Sequence, residues 1–387
     1  MFELLIPVTA GAAALLFGRK KAMEDTEMIE LVFKNAGVGY KRDQDVIFPK
    51  LIDTDEIENG TIYIYNTVVG LPDKVLAPLN DLLASTLNKP IKLEYEKFLR
   101  ITVYNESLPQ KVFYHEIPKT EGWLVPLGRN LEGWHFHDFD QVPHMTNSGT
   151  TRFGKTVMLK TMMTYLIENH PEDVEFLLID LKGGLEFNKY RNLKQVRGVC
   201  KDVAEAYLAL EELHGVLAKT MNEFLSKGWS NILDTPSQKR LFVIVDEAAQ
   251  LAPEKWMDKD TKAMMGACQW YLSEIARVAG SLGVRLIYTT QYPTADTLPR
   301  QIKQNSDVKV SFRLPTSYAS EVAIDDKGAE KLSSNIKGRA LIKTHEIKEV
   351  QTPLITDKEM LRRVKKYAVK KAAAKKETGT DYSAEIR

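Results

Sequence analysis

Cysteine is nearly absent: Cys200 and Cys268 are the only two in 387 residues, far apart and with no histidines at ligand spacing. This excludes a disulfide framework and a cysteine-based metal site, and it fits a reducing cytoplasm. Excess charge is missing too. Lys and Arg number 53 against 52 Asp and Glu, a net charge of +1. No global field draws the chain to nucleic acid, so any basic surface has to be local. Nor does the N-terminal apolar stretch, residues 4–17, reach the ~20 residues that span a bilayer as a helix. Gly18, Arg19, Lys20 and Lys21 follow it at once, whereas a secretory signal carries its positive charge ahead of the apolar run. Three readings stay open: a short membrane anchor with the body on the cytoplasmic side, a helix lying on the membrane, or an apolar segment docking on protein.

What is present is an ordinary soluble balance, 44% hydrophobic and 27% charged, in a chain long enough for two domains. It is organised around residues 142–159, VPHMTNSGTTRFGKTVML. Gly149, Gly154, Lys155 and Thr156 match the phosphate-binding pattern G-x-x-x-x-G-K-[ST], with Thr150, Thr151, Arg152 and Phe153 between the glycines. A short apolar strand precedes the loop and an amphipathic helix follows, the context the motif needs. The glycines let backbone N–H groups curl around phosphate oxygens, and the helix N-terminus adds partial positive charge. Lys155 is expected to neutralise the β- and γ-phosphates of a nucleotide, and the Thr156 hydroxyl to ligate Mg²⁺.

Ahead of the loop, residues 25–120 predict a small α+β domain. Strands are expected over 61–68, 91–95, 99–104 and 112–115, with a helix over 71–87. No ligand constellation marks it, and packing or oligomerisation is the expected role. His135 and His137 alternate as two side chains on one face of a strand do; with no third ligand visible, they are expected to be exposed strand or loop residues.

The second domain is expected over 121–355. Residues 174–180 (VEFLLID), 241–247 (LFVIVDE), 285–291 (RLIYTTQ) and 308–314 (VKVSFRL) predict strands, with helices over 202–227 and 262–282 between them. That alternation implies a mostly parallel sheet covered on both faces, with ligands at the strand carboxyl ends. Asp246 and Glu247 close one strand: Asp246 is the candidate for the Mg²⁺ shell and Glu247 for deprotonating the attacking water. Gln291 ends the neighbouring strand, where an amide senses the γ-phosphate, positions water, or ties down a loop. Arg277, Arg313 and Arg339 are candidates for a charge-stabilising arginine acting on a neighbouring subunit, with Lys309 a weaker one. At the C-terminus, 356–387 predicts a basic tail carrying Arg362, Arg363, Lys365, Lys366, Lys370, Lys371, Lys375 and Lys376. Contacts with DNA, contacts with anionic lipid and plain solvation all fit it.

Together these stretches resemble the FtsK/SpoIIIE family of hexameric DNA-translocating ATPases. The similarity includes LVPLGRNLEGWHFHDFDQVPHM, GTTRFGKT, LLIDLKGGLEF, LFVIVDEAAQL, LSEIARVAGSLGVRLIYTTQYP and DDKGAEKL. DLKGG, TTQYP and IKGRAL look most like the smaller members of plasmids and integrative conjugative elements. The resemblance implies a RecA-like P-loop NTPase core that binds ATP with Mg²⁺ and forms a homo-hexamer around DNA, with Lys155, Thr156, Asp246, Glu247 and Gln291 carried over position by position. Arg313 is expected, from the residues alone, as a further catalytic group beside Lys155, Glu247 and Gln291. It also implies a coupling role beside a relaxase or secretion channel. Lys309 stands where relatives often carry an arginine that acts in trans, and Glu321 replaces another arginine associated with DNA contact. Lys182, beside Gly183 and Gly184, and Lys331 are expected to grip DNA phosphates. Two rivals share the core: a protein-export ATPase of the type VII kind, which usually carries several modules where this chain has one, and a nucleotide-gated scaffold, which intact Asp246 and Glu247 argue against.

Overall fold

The computed structural model describes residues 24–42, 45–66 and 73–368. The apolar run at 4–17 and the lysines at 370, 371, 375 and 376 lie outside the described residues. The chain divides into two compact units between Leu108 and Pro109, ahead of the expected boundary at 120. The reason is strand pairing: Val112 and Phe113 run parallel to Pro353 and Leu354, which ties the segment after Leu108 to the second unit.

The first unit contains α1 (Asp25–Ala36), the antiparallel pair β1 (Tyr40–Arg42) and β2 (Asp45–Ile47), then β3 (Leu51–Ile57) and β4 (Gly60–Tyr65). It closes with α2 (Asp73–Leu87), β5 (Ile91–Tyr95) and β6 (Leu99–Tyr104). Four antiparallel strands lie in the order β3-β4-β6-β5. Ile29, Val32 and Phe33 of α1 and Leu79, Leu83 and Leu87 of α2 share a core with Leu99, Ile101 and Val103. These are the 3–4 and 2-residue spacings that give a helix and a strand one apolar face each. Strand β3 (LIDTDEI) is exposed along nearly its whole length, so its sequence has no buried face for periodicity to reveal.

The second unit opens with β7 (Val112–Phe113), the hairpin β8 (Leu124–Asn130) and β9 (Gly133–Asp138), then β10 (His144–Ser148) and α3 (Lys155–Asn169). It continues with β11 (Val174–Asp180), β12 (Val196–Cys200), α4 (Val203–Lys227), β13 (Arg240–Asp246), α5 (Lys259–Glu274) and β14 (Val284–Thr290). The last elements are α6 (Arg300–Gln304), β15 (Val308–Phe312), α7 (Ser317–Ile324), β16 (Arg339–Lys343), β17 (Ile347–Gln351), β18 (Pro353–Leu354) and α8 (Asp357–Val364). Ten strands form one sheet, β12-β11-β13-β14-β10-β15-β16-β17-β8-β9. The first six are parallel and the rest antiparallel. Strand β12 (VRGVC) gives little sequence signal, because Gly198 interrupts a short run.

Strand β13 is buried throughout, and its alternation splits the core into two layers. Phe242 and Ile244 join Met158, Leu159, Met162 and Leu166 of α3. Leu241, Val243 and Val245 point the other way, to Leu210, Leu213 and Leu217 of α4 and Cys268 and Leu272 of α5. At the amino ends of β13 and β14, Asp140 binds two buried guanidiniums. Arg240 grips it in a fork at 2.8 and 2.9 Å, and Arg285 donates to it at 2.6 Å.

Two expectations are corrected here. Residues 357–367 are not a free tail. Met360 and Val364 of α8, spaced i, i+4, are buried in the α3 layer, Arg363 lies 4.5 Å over the Tyr114 ring, and Asp357 pairs with Lys160 at 3.0 Å and Lys189 at 2.7 Å. Alanines and lysines further along hid that helical spacing. His137 is also not exposed: it is buried in β9, edge-on to Phe139 at 4.3 Å, and burial pushes its imidazole down to about 4.

Candidate nucleotide site

Strand β10 delivers the glycine loop at the carboxyl end of the sheet, and α3 begins at Lys155 directly after Gly154. Gly149 and Gly154 have φ of +154° and +122°. A Cβ on Gly149 would come within 2.6 Å of Phe312 Cβ, and one on Gly154 within 2.9 Å of Phe312 Cε1. Both positions therefore demand glycine. Neighbouring strands pin the loop. Gly149 N–H donates to the Thr290 carbonyl at 3.2 Å and Thr150 N–H to the Arg313 carbonyl at 3.1 Å. Gly338 N–H donates to the Phe153 carbonyl at 2.9 Å, while Arg152 takes a left-handed φ of 73°.

Strand order sets the chemistry. β14 lies between β10 and β13, so the loop, Gln291 after β14 and Asp246 at the end of β13 converge. Lys155 is buried, its Nζ 3.6 Å from Asp246 Oδ1 and 3.5 Å from Glu247 Oε2. Thr289 Oγ1 donates to Asp246 Oδ1 at 2.9 Å, and Thr151 Oγ1 donates to Gln291 Oε1 at 3.0 Å. Glu247 itself has left the strand. Its φ and ψ of 60° and 51° are left-handed, a conformation that costs a non-glycine residue about 1 kcal/mol or more. That turn sends its carboxylate back toward Lys155 rather than on along the strand direction.

A cavity of about 470 Å³ opens beside these groups, lined by Thr150, Lys155, Thr156, Lys182, Asp246 and Gln291. A second group of residues completes the lining: Gln110 and Lys111, residues 335–338 and residues 351–354. The volume suits a nucleotide. Hard oxygens from Thr156 and Asp246 are the donor set Mg²⁺ takes from protein when phosphates supply the rest. This second group was missed from sequence, although the IKGRAL stretch that contains Gly338 was noticed. Its parts come from three distant segments joined by contacts such as Thr352 N–H to the Gly338 carbonyl at 2.8 Å.

Several predicted cations are placed differently from expectation. The Arg313 guanidinium donates to the backbone carbonyls of Glu330, at 2.9 Å, and Leu332. Arg339 is buried and donates to Glu349 Oε1 and the Pro109 carbonyl, both at 2.9 Å. In each case the chain's own acceptors surround the side chain. Lys309 pairs with Asp325 at 3.4 Å and Glu321 with Lys327 at 3.5 Å. Arg277 is exposed, paired with Glu274 at 2.6 Å, and Lys331 is exposed. Lys182 reaches inward, its ammonium 2.9 Å from Glu247 Oε2.

Fold and site define a P-loop ATPase with a RecA-like core. Residues 123–240 match the model of the FtsK/SpoIIIE family. Similar curated proteins include the DNA translocase FtsK of Campylobacter jejuni, 26% identical over 286 residues covering 67% of this chain and 29% of that protein. The DNA translocase FtsK of Lactiplantibacillus plantarum is 28% identical over 303 residues, covering 70% of this chain and 36% of that protein. The chain thus spans about a third of these relatives. Among solved structures, the pCW3 conjugation coupling protein TcpA in its monomer form with ATPgS superimposes with a TM-score of 0.63 at 24% identity. That match covers 88% of this chain and 99% of TcpA. The cytoplasmic domain of the Thermomonospora curvata type VII secretion ATPase EccC gives 0.54 at 20% identity, over 68% and 33% of the two chains. These two likenesses concern the fold. Among the described residues, no helix is long and apolar enough to cross a membrane.

Proposed function

We propose that the chain is an ATP-driven DNA translocase of the coupling type that works for a mobile genetic element, as a ring of like subunits. The observation that carries this reading is the convergence of Lys155, Asp246 and Gln291 on one cavity, with Glu247 3.5 Å from Lys155, within a stretch that matches the FtsK/SpoIIIE family. The likeness to TcpA supports the coupling role in layout: it covers 88% of the chain and so extends beyond the ATPase unit. The apolar run at 4–17 with its basic flank supports a placement beside the membrane.

The chain's own residues have distinct tasks in this scheme. Backbone amides from Gly149 to Thr156 and the α3 N-terminus hold the phosphates. Lys155 exchanges its two carboxylates for the β- and γ-phosphates of ATP. Thr156 and Asp246 would hold a Mg²⁺, whose chemistry would be to neutralise phosphate charge. Glu247 takes the proton of the attacking water, and Gln291, tied to Thr151, reports whether the γ-phosphate is present.

With a net charge of +1, DNA has to be held by local lysines and arginines and without regard to sequence. ATP hydrolysis by the full chain should therefore rise several-fold with long DNA, and this stimulation should fade as salt rises and counterion release loses its driving force. Steady-state hydrolysis from low to moderate salt, with single- and double-stranded DNA, tests this. Turnover indifferent to both would favour the protein-export or scaffold reading.

A further inference from the structure

Lys182 does something the phosphate-grip expectation does not explain. It follows β11, whose final residue Asp180 lies in register with Asp246 on β13. The buried Asp180 carboxylate builds the turn: it accepts the backbone N–H groups of Lys182 at 3.3 Å, Glu186 at 2.9 Å and Phe187 at 3.1 Å. Gly183 and Gly184 complete the bend with φ of +78° and +75°, and Gly184 N–H donates to the Asp180 carbonyl at 3.0 Å. The backbone is fixed, and the four-carbon stem of Lys182 is the part left to swing. Its side chain is 40% exposed, yet its ammonium sits 2.9 Å from Oε2 of Glu247, whose side chain is 6% exposed.

Both oxygens of that carboxylate are in contact. Lys155 Nζ lies 3.5 Å from Oε2, and the Gln291 backbone nitrogen lies 3.4 Å from Oε1. Lys155 has a second destination, the nucleotide phosphates, and leaves when ATP arrives. Lys182 also lines the cavity, but it is the nearer of the two ammoniums to Oε2, at 2.9 Å against 3.5 Å, and it does not belong to the phosphate loop. The ammonium at 2.9 Å fixes where the carboxylate points and competes with water for it. With 40% of its side chain exposed, Lys182 is also open to an outside anion, and a DNA phosphate is a chemically equivalent partner for its ammonium.

We infer that Lys182 is a positioning residue that holds Glu247 away from the attacking water, and that backbone phosphate of DNA, by pairing with the same ammonium, releases it. This rests on the reading of Glu247 as the base and of DNA as the activator. It converts DNA binding into turnover through one side chain, with no change of the surrounding fold.

The test uses the full chain with Lys182→Ala and Lys182→Arg, measuring kcat and KM for ATP with and without long DNA, and DNA affinity by anisotropy. Lys182→Ala should raise basal kcat about five-fold or more toward the DNA-stimulated rate of the native chain, with KM changed by no more than about two-fold. Stimulation by DNA should fall toward one, while DNA affinity falls by only about the share of one phosphate contact among many. Lys182→Arg should restore a low basal rate. A basal kcat in Lys182→Ala that is unchanged or lower, or an increase that appears in KM instead, would overturn the inference. If DNA fails to stimulate the native chain, the translocase reading and the release step fall together. The basal rate of Lys182→Ala then decides whether the latch on Glu247 exists.

Discussion

Glu247→Gln should bind ATP about as well as the native chain and hydrolyse it about 10²–10⁴ times more slowly. The amide fills the same buried space at the turn after β13 and keeps an oxygen for Lys155 and Lys182, so the cavity and its phosphate loop persist. What disappears is the lone pair that takes the proton of water. Lys155→Ala should fail earlier. Its ammonium is the buried cation 3.5–3.6 Å from both acids, and without it the phosphates lose the cation of the loop and meet the Asp246 carboxylate directly. The two variants thus separate binding from chemistry. Fluorescent-nucleotide titration beside steady-state hydrolysis distinguishes them, and wild-type turnover in Glu247→Gln would remove Glu247 from the role of base.

Asp140→Asn should cost the ATPase unit about 3–5 kcal/mol, the range seen when one partner of a buried ion pair is removed. Asp140 serves two guanidiniums at once, and the side chains of Arg240 and Arg285 are 3% and 1% exposed. An amide takes away the one carboxylate that both buried guanidiniums bind, and Asp140 is itself only 18% exposed. The acid limb of the stability curve provides a second readout. Burial pushes the Asp140 carboxyl up, but the hydrogen bonds from Arg240 and Arg285 outweigh it and hold the group below the usual carboxylate range. Its contribution is therefore fully present above the ordinary carboxylate value of about 3.9 and is lost as pH falls through the lowered native one. Urea unfolding of the native chain and of Asp140→Asn should converge in strong acid and separate above pH ~5. Equal stability of the two at neutral pH would contradict this account of the cluster.

The phosphate loop, the strand ending in Asp246 and the strand preceding Gln291 were legible because each is a local pattern: a glycine loop between strand and helix, or an apolar run closed by a polar residue. The partners of those residues were not. Asp140 meets Arg240 and Arg285 across 100 and 145 residues, and nothing in the surroundings of Asp140 in sequence marks it. Lys182 reads in sequence as a grip for DNA phosphates beside a glycine turn, since only the parallel pairing of β11 with β13 brings it over Glu247. Arg313 and Arg339 looked free because the carbonyls that bind them carry no signature in sequence. Helix α8 was hidden by the basic run, whose charge pattern masked the spacing of Met360 and Val364.

Displacement of streptavidin from the biotinylated end of long DNA tests most directly whether hydrolysis at this site moves DNA, and it works for either strandedness. The full chain should clear streptavidin with ATP and fail to do so with ATPgS, and Glu247→Gln should fail with both while still binding DNA. DNA-stimulated hydrolysis without displacement, or displacement that persists in Glu247→Gln, would contradict a translocase driven from Glu247.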